Sequence, residues 1–162
     1  MDLYAMQNLT RPEGWSRYWE QTNADDWADV LATLPLFEGV GRRRLRRLAE
    51  QATIAEYARG DTVVQAGSPG DALYVILGGS ARARGKPAAR TLRIGDYFGE
   101  LGVFGGAPRS ATVVATEELH VIRIPGDAVL RLARKHPALA LRMLNELGSH
   151  VRRLEAAPAR AA

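Results

Sequence analysis

The residues best equipped for chemistry fall in one stretch, Phe98-Gly99-Glu100-Leu101-Gly102-Val103-Phe104-Gly105-Gly106-Ala107-Pro108-Arg109-Ser110-Ala111-Thr112-Val113. Arg109 offers a planar, permanently charged fork that matches two phosphate oxygens. Glu100 brings a carboxylate that accepts hydrogen bonds from a sugar hydroxyl. Gly99 lets the backbone approach a ligand closely. Glu100-Leu101-Gly102 is predicted to open a short helical turn, whose unpaired amide N–H groups attract an anion. An acceptor for a sugar, a fork for a phosphate and an apolar wall for a base make a nucleotide site. The same two side chains flanking a loop also suit a plain ion pair, and spacing alone leaves both readings open.

Other chemistries lack their parts. The chain has no cysteine, which removes disulfides, thiolate nucleophiles and thiolate metal sites together. His120, His136 and His150 are the histidines, and no pair has the i, i+4 spacing of a helical metal site; no metal is expected. Ser110 has no base near it in sequence, and Gly102 to Gly106 lacks the Gly-Lys-Ser or Gly-Lys-Thr end of a P-loop. A binding protein is expected, not an enzyme.

The elements that must hold this stretch are readable from punctuation. The chain has 162 residues, 46% hydrophobic and 25% charged, which suits one soluble domain with an appendage. Trp15, Tyr18, Trp19, Trp27, Leu31 and Leu34 fit one apolar face of a helix from about residue 15 to 34, which Ser16 or Asn23 starts or interrupts. Leu45, Leu48, Ala49 and Ala52 mark a second helix from Arg42 to Ala52. Short β-rich pieces then alternate with Gly, Pro and Asp clusters: 54–57, 62–65, 73–77, 81–84, 91–94, 111–115 and 119–124. That rhythm predicts an antiparallel β-roll of jelly-roll type with flanking helices. Pro125-Gly126-Asp127 is expected to start a helix with Asp127 as its N-cap, and Pro137 to open a long one reaching about Glu155. Leu141, Leu144, Leu147, Val151 and Leu154 form a stripe on that last helix. The expected division is a helical extension over 1–30, a domain over 31–155 and a frayed tail over 156–162.

Charge is uneven although the net value is only +4. Asp2, Glu13, Glu20, Asp25, Asp26 and Asp29 make the start acidic. Arg42, Arg43, Arg44, Arg46 and Arg47 crowd into the second helix, and Arg82, Arg84, Lys86, Arg90 and Arg93 follow later. Such clusters fit either a solvated face or a surface that attracts nucleic acid, an anionic membrane or an acidic partner. No apolar run approaches the length needed to span a bilayer, and Met1-Asp2-Leu3-Tyr4 has neither a basic nor an apolar leader pattern. No membrane association and a cytoplasmic location are expected.

The central stretch resembles the phosphate-binding cassette of the cyclic nucleotide-binding domain family. The family includes protein kinase A regulatory subunits, cyclic nucleotide-gated channels and bacterial catabolite activator proteins. Phe98-Gly99-Glu100-Leu101 and Pro108-Arg109-Ser110-Ala111-Thr112-Val113 carry the likeness. Leu34-Pro35-Leu36-Phe37, Gly60-Asp61, Gly67, Gly70-Asp71, Tyr74, Ile76 and Gly79 extend it upstream. The resemblance implies that Arg109 pairs with the exocyclic oxygens of a cyclic phosphate and that Glu100 holds the ribose 2′-hydroxyl. It implies that the N–H groups of Gly99, Leu101, Ser110 and Ala111 complete the cradle. It implies too that the last helix is a lid, with Leu144, Leu147, His150 and Val151 nearest the base. The expected ligand is cAMP, favoured over cGMP.

Two features depart from the family pattern. The hairpin between Gly79 and Phe98 is short, and the second helix is rich in arginine. Nothing after Leu154 resembles a helix-turn-helix, so a freestanding sensor that reports to an unidentified protein partner is expected, with DNA binding unlikely. A homodimer through the Trp-rich N-terminal helix or the last helix is one form of that output. The alternatives are an interaction or oligomerisation module that works without ligand, and a nucleic-acid binder using the arginine clusters.

Overall fold

The computed structural model describes residues 21–85 and 88–156. Trp15, Tyr18, Trp19, Lys86, Pro87 and the residues from 157 on lie outside the described residues. Helix α1 spans Ala24–Ala32, a 3-10 turn follows at Pro35–Phe37, and α2 spans Arg42–Ala49. The strands are β1 Thr53–Tyr57, β2 Thr62–Val64, β3 Ala72–Gly78, β4 Ala81–Gly85, β5 Arg90–Leu92 and β6 Tyr97–Phe98. A short helix α3, Glu100–Gly105, precedes β7 Ala111–Ala115 and β8 Leu119–Pro125. Helices α4, Gly126–Lys135, and α5, Pro137–Ala156, close the described chain.

Among the described residues the strands form two four-stranded sheets, ordered β1-β8-β3-β6 and β2-β7-β4-β5. Every pairing is antiparallel. The expected β-roll with flanking helices is the observed architecture.

Strand β3 shows why. All seven of its residues are buried, because the period-2 alternation of a strand feeds two cores at once. Leu73, Val75 and Leu77 join a cluster with Leu31, Phe37, Leu45 and Val129 of the helical side. Ala72, Tyr74 and Ile76 join Phe98, Val113 and Leu119 inside the roll. Strand β8 splits likewise, with Ile122 and Ile124 toward the helices and Val121 into the roll. Truncating one of these leucines to alanine costs about 2–5 kcal/mol, since the wall on either side cannot collapse freely.

Helix α1 starts at a capping box. The Asn23 side chain accepts from the N–H groups of Asp25 and Asp26, and Asp26 accepts from the Asn23 N–H. Its Ala28, Val30 and Leu31 belong to the helical core, so the helix crosses the expected boundary at residue 30 and is part of the same packed unit. The acidic start and the arginine cluster meet here. Arg42 donates to Asp29 at 2.9 Å and to Asp25 at 3.2 Å, and Arg46 lies 3.3 Å from Asp25. Two arginines of the α2 cluster are therefore engaged within the chain. Helix α2 ends at Ala49, not at Ala52.

Helix α4 corrects a second expectation. Pro125 occupies the N-cap position with no side-chain cap, and Asp127 lies inside the first turn, paired with Arg131 one turn on. A carboxylate there still favours the positive end of the helix, so the helix keeps an electrostatic start without a capping bond.

Candidate functional site

Arg109 enters the site from a tightly held loop. Its N–H donates to Ser68 O at 2.8 Å and its carbonyl accepts from Gly67 N–H at 2.9 Å. This lays the segment before β7 against the turn before β3. The side chain, only 4% exposed, then runs inward. Nη1 donates to Ala72 O at 3.0 Å and Nη2 to Asp71 Oδ1 at 3.2 Å. The guanidinium sits 5.4 Å from the Tyr74 ring centroid, and that ring stacks on Phe98 at 4.9 Å. A buried guanidinium is tolerable only when its donors are answered, and here a carbonyl, a carboxylate and an aromatic face answer them.

Glu100 reaches the same space from the first residue of α3. Burial pushes its carboxyl above the usual carboxylate range. Its own backbone N–H and the charge of Arg90 oppose that, Glu146 adds to it, and Arg153 opposes it. Burial also raises the Tyr97 hydroxyl, with the charges of Glu146 and Glu100 and a hydrogen bond to Glu146 acting in the same direction. The mouth beside Glu100 is thus a knot of two carboxylates, two arginines and a phenol.

Arg109 and Glu100 are not an ion pair: the salt bridge of Arg109 goes to Asp71. Instead both line one cavity of about 440 Å³, a size usual for small-molecule sites. Gly99, Leu101, Ser110 and Ala111 line it as well. Val64, Ala83, Phe98 and Val113 add an apolar part to its lining.

The lid residues divide. His150 lines the cavity, its imidazole held below the ordinary range by burial and by the charge of Arg153. Leu147 packs toward Gly105 of α3. Leu144 and Val151 are 62% and 51% exposed and, like Leu147, are not among the residues lining the cavity. The reason is helical spacing: Leu139 and Met143 bury the start of the inner face of α5, His150 and Arg153 continue that side along the cavity, and Leu141, Leu144, Val151 and Leu154 are left exposed. Arg90 and Arg153 are site residues that sequence reasoning missed. Arg90 stood within a noted basic cluster, but nothing local tied it to Glu100. Among the described residues no cluster of His, Asp or Glu could hold a metal ion, and no helix is long and apolar enough to cross a membrane.

Comparison with known proteins adds three likenesses and one family match. Residues 54–136, just over half of the chain, match the family model described as the cyclic nucleotide-binding domain. The chain is 29% identical over 131 residues to the CRP-like cAMP-activated global transcriptional regulator of Mycobacterium tuberculosis, covering 77% of this chain and 58% of that protein. It is 33% identical over 105 residues to the cAMP-dependent protein kinase regulatory subunit of Aspergillus fumigatus, covering 63% of this chain and 25% of that one. The regulatory domain of Toxoplasma gondii PKA, solved with cAMP, superposes with a TM-score of 0.67 at 24% identity, over 78% of this chain and 50% of the other. At that identity the superposition speaks for the fold. The chain spans less than two thirds of the length of each of these relatives.

Proposed function

The chain belongs to the cyclic nucleotide-binding domain family, and from that membership we propose that it binds a cyclic nucleotide, cAMP in preference to cGMP, without turning it over. The observation that carries this reading is the convergence of buried Arg109 and half-buried Glu100 on one cavity instead of on each other. The guanidinium takes the cyclic phosphate, with the backbone N–H groups of Gly99, Leu101, Ser110 and Ala111 beside it. Glu100 accepts from the ribose hydroxyl. Val64, Ala83 and Val113 cover the base.

The output runs through α5. This helix brings His150 and Arg153 to the cavity and Glu146 to Tyr97, while it exposes Leu141, Leu144, Val151 and Leu154. A ligand that favours one position of the helix changes how that apolar stripe is presented to a protein partner or to a second copy of the chain.

Thermal shift with cAMP, cGMP and AMP tests the ligand assignment. Stabilisation by the cyclic nucleotides, largest with cAMP and absent with AMP, is the expected result. Equal or no stabilisation across the three contradicts it. Light scattering with and without cAMP tests whether the stripe answers to ligand.

A further inference from the structure

Arg109 shares its counter-ion. One oxygen of the Asp71 carboxylate accepts from Arg109 Nη2 at 3.2 Å, and the other accepts from Arg123 Nη2 at 3.0 Å. Arg123 stands on β8 directly across from Tyr74 in the β3 register and engages the Tyr74 side chain. It is not part of the cavity wall. The Asp71 carbonyl accepts from Gly126 N–H at 2.8 Å, which fixes this residue at the root of α4.

We infer that Arg123 is a positioning residue for the anion-binding end of the cavity, acting through Asp71. It divides the carboxylate between two guanidinium groups and so leaves Arg109 with positive charge to offer. A lone Asp71–Arg109 pair is neutral, and an incoming phosphate would have to compete with a carboxylate committed to that arginine. With Arg123 present the cluster is two cations on one anion. Water screens its outer part, where the Asp71 and Arg123 side chains are 63% and 35% exposed, far more than the inner end, where Arg109 is 4% exposed. The surplus charge is therefore felt most strongly at Arg109. The bond from Arg109 Nη1 to Ala72 O is a second hold on the guanidinium that does not involve Asp71.

This inference rests on cyclic nucleotide binding at Arg109, and the experiment separates the two. Titration calorimetry with cAMP at low ionic strength is run on wild type, Arg123→Gln, Arg123→Lys, Asp71→Asn and the Asp71→Asn/Arg123→Gln double variant. Arg123→Gln is expected to bind about three- to tenfold more weakly, Arg123→Lys close to wild type, and the same change in the Asp71→Asn background to cost distinctly less than it does in wild type. An Arg123→Gln affinity equal to wild type overturns the inference. So does an equal loss in both backgrounds, which is the signature of a merely structural arginine. No binding by the wild type overturns the nucleotide reading itself, and the inference with it.

Discussion

Gly99 lies directly against the guanidinium of Arg109. A β-carbon on Gly99 would stand 2.5 Å from Arg109 Nη1 and 2.6 Å from the Ala72 carbonyl oxygen that this nitrogen bonds, and the Gly99 φ is +91°. Position 99 is thus constrained twice, by a backbone conformation that side chains rarely adopt and by the arginine it would displace. Gly99→Ala is expected to cost about 1–3 kcal/mol of stability and to weaken cAMP binding with it, read by chemical denaturation and calorimetry. A variant of wild-type stability and affinity would contradict the contact.

Gly70 and Gly102 bring the turn before β3 against helix α3. A β-carbon on Gly70 would meet the Gly102 Cα at 2.4 Å and the Ala107 carbonyl oxygen at 3.0 Å. Backbone cannot swing aside as a side chain can, so Gly70→Ala must push the turn and α3 apart. The expected loss is about 1–3 kcal/mol, measured by urea denaturation. Full stability would show that the two segments do not touch.

Glu100 sets stability against function. Because burial raises its pKa, the folded chain holds this proton more tightly than the unfolded chain does, and ionisation penalises the fold. The penalty is absent below the ordinary carboxylate range. It grows as pH rises through that range and is complete above the raised folded value. Glu100→Gln is expected to melt higher than wild type at pH 7, with the gap closing toward pH 4, while its cAMP affinity falls. A variant that melts lower at pH 7 and binds normally would contradict both parts.

Leu144 and Val151 are placed outside the cavity by the geometry of α5. The Leu144→Glu/Val151→Glu double variant is expected to keep its cAMP affinity within about twofold, as distant sites without shared partners do. Any ligand-dependent association seen by light scattering would be lost. An affinity loss as large as that of an Arg109 variant would put the leucine stripe back over the ligand.

Much of this fold is visible in local pattern, because β-roll strands alternate and their turns carry Gly, Pro and Asp. Strands β7 and β8 and the start of α5 lie within a residue of their expected positions. Strand β6 does not appear in the sequence reading: two residues, Tyr97–Phe98, are too few to show a period, and pairing with β3 makes the strand. The cavity residues that are adjacent in sequence, from Gly99 to Ala111, were legible as a group. Those supplied by long-range pairing were not. Asp71 and Arg123 are 52 positions apart, and only the β3–β8 register joins them. The inner face of α5 was misread for a physical reason. An apolar stripe ordinarily marks the buried side of a helix, and Leu139 and Met143 do bury the start of this one, but further along His150 and Arg153 border the cavity while Leu141, Leu144, Val151 and Leu154 stay exposed.

The central claim is that Arg109 holds the ligand's phosphate, and isothermal titration of cAMP into wild type and Arg109→Ala tests it most directly. One charge-assisted contact in a partly dry pocket is worth about 1.5–3 kcal/mol, and its loss also strands the ligand's charge. The expected result is at least about a tenfold weaker affinity for the variant. An Arg109→Ala chain that folds and binds cAMP as tightly as wild type would contradict the account.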